Sequence, residues 1–141
     1  MTSIMGDIRD YSHVHDVCKK YKPEIVIHMA AQSLVKYSYI NPVETFSTNI
    51  LGTVNILETA RKVGCAKSIV IVTSDKCYEN KFNQNEHIES DAMGGQDPYS
   101  SSKGCAELVT HSYIDSFFNQ EQYDKRGIAV ASARAGNVIG G

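Results

Sequence analysis

The sequence predicts an α/β fold, a doubly wound parallel sheet of three strands joined by crossover helices. Two observations carry this expectation. The segments 24–30, 68–74 and 128–133 are apolar with little polar alternation, as strands buried on both faces of a parallel sheet are. The stretches between them hold helical patterns of about 15 residues or more, the length a parallel crossover requires. Helices covering both faces of the sheet are expected.

In chain order, 6–10 is turn-like, and Asp10 or Ser12 can cap a helix whose apolar stripe is Val14, Val17, Cys18 and Tyr21. Lys19, Lys20 and Lys22 sit at its C-terminal end, where the helix dipole favours cations, and Pro23 ends it. The first strand follows. Asn41-Pro42-Val43-Glu44 then starts a helix expected to run to Val63, with Arg61, Lys62 and Gly64 as its stop. After the second strand, residues 75–96 show no periodicity, and a connection that long usually serves an active site or a lid. Asp97 and Pro98 start a helix through Leu108, Val109, Tyr113 and Phe117, polar 119–127 reads as a surface loop, and the last strand closes the pattern.

The totals fit one domain with a single core: 141 residues, 42% hydrophobic and 21% charged. A net charge of −2 gives no electrostatic case for nucleic acid or an anionic membrane as partner. Cys18, Cys65, Cys77 and Cys105 have no C-x-x-C spacing, so a reduced, cytoplasmic setting is the default expectation. No apolar run approaches the ~20 residues of a membrane span. No export signal, repeat or low-complexity tract is evident.

Chemistry concentrates in 97–103. Tyr99 and Lys103 are four apart, so a helix puts them on one face. An ammonium beside a phenol favours the phenolate, which suits proton exchange at a sugar or alcohol hydroxyl. The bland alternative is two surface residues on a Ser-rich helix start. Just past the strand ends lie Ala30-Ala31-Gln32-Ser33, Thr73-Ser74-Asp75-Lys76 and Arg134-Ala135-Gly136-Asn137, where parallel sheets gather ligands. Taken alone, Ser74 and Asp75 are as well explained as turn residues. His28 reads as a satisfied interior histidine, and Cys77 and Cys105 as small apolar fillers. His13 and His15 are two apart and make a poor metal pair, so no metal site is expected. Asn49 is unusual inside a helix; either its amide holds a water or a backbone group near Lys103, or it faces solvent.

Six motifs in order resemble the extended short-chain dehydrogenase/reductase family, in its nucleotide-sugar 4,6-dehydratase branch. They are Gly6-Asp7-Ile8-Arg9-Asp10, His28-Met29-Ala30-Ala31-Gln32, Thr48-Asn49-Ile50-Leu51-Gly52-Thr53, residues 72–80, residues 97–105 and residues 133–141. The resemblance implies a partial Rossmann-like domain with NAD as cofactor and a nucleotide sugar, CDP-glucose, as substrate. By the same resemblance Asp7 and Ile8 would hold the adenine, while Ala30, Ala31 and Gln32 would line the pyrophosphate and ribose. Thr48 and Thr73 would sit close by, and Tyr99 and Lys103 would address the nicotinamide ribose and the substrate. Ser33 and Asn137 would face the sugar nucleotide. Ser74 would hydrogen-bond the sugar hydroxyl, and Asp75 and Lys76 would serve the elimination, Lys76 standing where many related dehydratases carry Glu.

A homo-oligomer and a role in lipopolysaccharide or O-antigen sugar synthesis are further implications. The family's G-x-x-G-x-x-G loop is absent, so residues 1–141 are expected to be the central part of a longer enzyme's NAD-binding domain, lacking its N-terminal βαβ unit and C-terminal substrate region and not stable alone. A 4-epimerase or decarboxylase of the same superfamily, or a non-catalytic remnant, are the alternatives.

Overall fold

Three parallel strands form one sheet in the order β1-β2-β3: Ile25–His28, Ser68–Ser74 and Ala129–Ala135. This computed structural model of the chain describes residues 2–79 and 87–137. Ile25 pairs with Ser68 and Ser68 with Ala129, so all three strands run toward one end, where the predicted ligand residues lie.

Helix α1 is Tyr11–Tyr21. Asp10 caps it by accepting from the His13 N–H at 3.0 Å, and Lys22, at φ 48°, closes it before Pro23. Helix α4 is Gly52–Val63 and ends at Gly64, whose φ of 67° is the left-handed turn glycine adopts without strain. Helix α5 is Pro98–Phe117. Leu57 and Ala60 of α4 pack with Ile69 and Ile71 of β2 and with Phe118 and Ile128, around which Val26, Val109, Tyr113 and Val130 close the core.

Four expectations change in detail. Among the described residues, the sheet is covered on one face only. Strand alternation sends Val26, Ile69, Ile71 and Val130 into the helix layer and Ile25 and Ile27 to the opposite face, where they are 67% and 61% exposed. The physical reason is that β1, β2 and β3 follow in spatial order, so both crossovers step the same way and their helices fall on one side.

The helix expected over 42–63 is in three pieces: α3 (Pro42–Phe46), a π-helical turn at Ser47–Leu51 and then α4. A short helix, α2 (Val35–Ile40), precedes them. The expected loop at 119–127 holds a helix, α6 (Gln120–Arg126), capped by Asn119 and ended by Gly127. Within 75–96, residues 80–86 lie outside the described residues. The remainder holds a 3₁₀ turn, Asp75–Cys77, and a bridge between Tyr78 and Met93.

Candidate active site

Asp97 fixes the start of α5 with both carboxylate oxygens, accepting from the Ser100 N–H at 3.0 Å and from Ser100 Oγ at 2.6 Å. Gly95 lies so close to Ser100 and Ser101 that any Cβ there would collide with that first turn. The helix is thereby held at its N-terminus, and Tyr99 and Lys103 project together, both buried. Lys103 Nζ donates to the Val72 carbonyl at 3.3 Å. Burial pulls its pKa below the ordinary lysine range, and the Glu107 carboxylate opposes that.

Ser74 ends β2 and caps the 3₁₀ turn. Its Oγ accepts from the Lys76 N–H at 3.2 Å and donates to Asp75 Oδ1 at 3.0 Å. Lys76 Nζ stands 3.6 Å from the same carboxylate oxygen, and both side chains are open to water.

These elements border a cavity of about 430 Å³ at the carboxyl ends of the strands, lined by Ala31, Ser33, Thr73, Ser74, Lys76, Tyr99, Lys103 and Asn137 among others. Eight residues singled out from sequence therefore share one site. Asp75 lies outside that lining and borders an adjoining cavity of about 230 Å³ with Lys76, Tyr78 and His87. Asp7, Ile8 and Ala30 line a third, mostly apolar cavity of about 270 Å³ beside α1. The Asp7 carboxylate is held at about pKa 2 by hydrogen bonds from the Arg9 side chain and backbone. The Ile8 carbonyl accepts from Asn55 Nδ2 at 2.9 Å, and its side chain packs on Gly52, where a Cβ would approach it to 2.9 Å.

Gln32 and Thr48 border none of these three cavities. Gln32 is instead held in place: Asn49 Oδ1 accepts from its N–H at 2.8 Å, while Asn49 Nδ2 donates to its carbonyl at 3.0 Å and to Ser102 Oγ at 2.8 Å. Of the two readings of Asn49, the one in which its amide holds a backbone group is the one found, and the side chain is buried. Thr48 sits half-buried beside it in the π turn, an irregularity often found at functional sites. His28 is buried and neutral, with its pKa lowered to about 4 by burial and then by the Lys103 charge. Cys77 is buried as expected, its thiol pushed up to about 11 by burial and then by Glu107. Among the described residues, no group of three His, Cys, Asp or Glu side chains is placed to hold a metal ion.

One cluster was not singled out from the sequence. Glu107, fully buried on α5, accepts from Thr73 Oγ1, from Ser132 Oγ at 2.9 Å and from Arg134 Nη2 at 3.0 Å. Arg134 also donates to Tyr78 Oη at 2.8 Å. The available signal was spacing: Glu107 lies four residues beyond Lys103 and eight beyond Tyr99, on the same face.

Residues 1–120 match the sequence profile of the family described as GDP-mannose 4,6 dehydratase. The chain belongs to that family. It is 54% identical, over its whole length, to CDP-glucose 4,6-dehydratase of Salmonella typhimurium strain LT2, covering 39% of that protein. It is 30% identical over 129 residues to CDP-paratose 2-epimerase of Salmonella typhi, covering 81% of this chain and 38% of that one.

Among solved structures, it resembles DesIV, a dTDP-glucose 4,6-dehydratase from Streptomyces venezuelae with NAD and TYD bound. The TM-score is 0.77 at 26% identity, over 92% of this chain and 36% of that one. The UDP-glucose 4-epimerase of Thermus thermophilus, solved with NAD, gives a TM-score of 0.70 at 27% identity over 92% and 39%. The family's Rossmann-type parallel architecture is thus the one found here, and the chain spans well under half the length of these relatives.

Proposed function

We propose that this chain forms the central part of an NAD-dependent nucleotide-sugar 4,6-dehydratase that acts on CDP-glucose. The observation that carries the reading is the meeting of Ser74, Lys76, Tyr99 and Lys103 on one cavity at the strand ends. The 54% identity to a CDP-glucose 4,6-dehydratase supports the choice of sugar nucleotide.

The residues present fit the cofactor. An acidic side chain and an apolar cavity stand at Asp7 and Ile8, small Ala30 and Ala31 follow β1 toward both cavities, and a buried cation lies beside Tyr99. Asp7, Ile8, Ala30, Ala31 and Gln32 would hold the dinucleotide, with Thr48, Thr73 and Lys103 nearby. When bound, NAD would supply a two-electron oxidation at carbon 4 of the sugar and give the same hydride back at carbon 6 once water has left, so that the cofactor ends unchanged.

Tyr99 takes the proton of the 4-hydroxyl, with Lys103 favouring the phenolate and Ser74 orienting the hydroxyl. The ketone so formed acidifies the carbon 5 proton. Lys76 and Asp75 then serve the elimination across carbons 5 and 6, one removing the proton and the other protonating the leaving hydroxyl. Lys76 lines the cavity and Asp75 stands behind it, tied to Ser74 and to Lys76 itself. Ser33 and Asn137 face the substrate. A paired acid and base favour elimination over epimerisation, which needs only Tyr99 and a neighbouring hydroxyl. The four cysteines are free, in keeping with a reducing cytoplasmic setting, and a homo-oligomer serving lipopolysaccharide or O-antigen sugar synthesis completes the reading.

The test is Tyr99→Phe in the protein that carries this chain, assayed with CDP-glucose. Loss of about a hundredfold or more in rate is expected, the usual scale for a general acid–base group. Turnover near the wild-type rate overturns the role given to Tyr99.

A further inference from the structure

Glu107 is a carboxylate with no exposed surface, in the helix that carries Tyr99 and Lys103. Burying a charge is costly unless it is paired and fully hydrogen-bonded. Here the pairing is complete. Oε1 accepts from Thr73 Oγ1, the residue before Ser74, and Oε2 accepts from Ser132 Oγ and Arg134 Nη2 of β3. Arg134 in turn reaches Tyr78, just beyond the 3₁₀ turn of Asp75 and Lys76. A single carboxylate therefore bonds β2 and β3 to α5, and one of its partners, Thr73, lines the cavity. Gly104, one residue past Lys103, adds to the closeness, since a Cβ there would stand 3.4 Å from the Cys77 carbonyl.

We propose that Glu107 is a positioning residue for the reaction: it registers α5 against the ends of β2 and β3, and it supplies the negative charge that faces Lys103. The inference rests on the dehydratase reading above, in that the register it sets is that of Ser74 and Lys76 against Tyr99.

The charged and titratable groups around the pair come from several elements. Facing Lys103 are Tyr99 and Glu107 from α5, neutral His28 from β1, the Val72 carbonyl from β2, and Lys76 across the cavity. Facing Glu107 are Arg134 from β3, Cys77 from the 3₁₀ turn, and His111 one turn along α5 at 3.8 Å. Burial raises the Glu107 pKa, and the hydrogen bonds from Arg134, Thr73 and Ser132 more than offset it, so the group stays ionised. That charge is what opposes the loss of the Lys103 proton.

The experiment is Glu107→Gln in the protein that carries this chain, beside Glu107→Gln/Arg134→Gln, in which no arginine is left unpaired. Two readouts are taken: the pH profile of kcat/KM with CDP-glucose, and titration of Lys103 by its 13Cε shift in the NAD-bound protein. The expected result is a fall of about tenfold or more in kcat with KM little changed, as for a group acting on the transition state. The alkaline limb and the Lys103 titration should both move to lower pH. Ser132→Ala, which removes one bond and no charge, should leave the Lys103 titration in place.

A Lys103 titration and alkaline limb at their wild-type positions, with only thermal stability reduced, would overturn the proposal. So would failure of both Gln variants to fold, which would assign Glu107 to the fold alone. A wild-type protein inactive on CDP-glucose would defeat the dehydratase reading and leave the Lys103 titration to decide the charge role.

Discussion

Lys76 is the residue on which the proposed elimination most depends. It lines the Tyr99 cavity and stands 3.6 Å from Asp75, and as an ammonium it is a proton donor and not a base. On the proposed reading its work belongs to the elimination. Lys76→Met is expected to stall the reaction after oxidation, with NADH accumulating in single turnover and exchange of the carbon 5 hydrogen slowed. A variant unable to form NADH would place Lys76 in the first step instead. Tyr99, Lys103 and the cap at Asp97 were legible because helix geometry joins residues four apart and because Asp-Pro is a strong start signal. Glu107 was not. A glutamate on a helix usually reads as part of a solvated face, and its partner Arg134 is 27 residues away, so only the tertiary structure shows that it is buried.

At the scale of elements, the site depends on how closely α5 can approach the loop before it. A Cβ on Gly95 would collide with Ser100 and the Ser101 backbone nitrogen, so Gly95→Ala must push the first turn of α5 away from its cap. A loss of about 1–3 kcal/mol in stability is expected, the usual cost of overpacking. Catalytic rate should fall with it, because Tyr99 is in that turn. Thermal unfolding and turnover of the variant check this, and an unchanged melting temperature would contradict the packing argument.

The strands and the long helices were legible from apolar runs and caps. Helix α6 was hidden because it buries no residue, so it carries no apolar stripe, and its caps Asn119 and Gly127 are also loop-forming types. The break in the 42–63 helix was hidden too. Its one trace was Asn49, whose amide holds Gln32 and Ser102 from within the π turn.

For the molecule as a whole, His28 ties stability to pH. Its folded pKa of about 4 lies below the ordinary 6.5, because burial and the Lys103 charge disfavour the imidazolium. As pH falls through 6.5 the unfolded chain takes up a proton that the folded one refuses. Stability is therefore full above about pH 6.5 and declines until about pH 4, where the folded state protonates as well. The total is on the order of 3 kcal/mol at about 1.4 kcal/mol per pKa unit. Denaturant unfolding at pH 7, 5.5 and 4 should show this decline, and His28→Asn should reduce it. Equal declines in both proteins would contradict the assignment.

The bare face of the sheet, with Ile25 and Ile27 exposed, belongs to the same scale. Apolar runs that looked buried on both faces are covered on one, since sequence periodicity reports what a strand can bury and not what lies against it.

Whole-molecule function turns on the fate of one hydrogen. The protein that carries this chain is incubated with CDP-[4-2H]glucose and NAD, and the product is read by NMR. The account predicts a 4-keto-6-deoxy sugar nucleotide with the deuterium moved from carbon 4 to carbon 6. Deuterium retained at carbon 4, in a product inverted at that carbon, would contradict it.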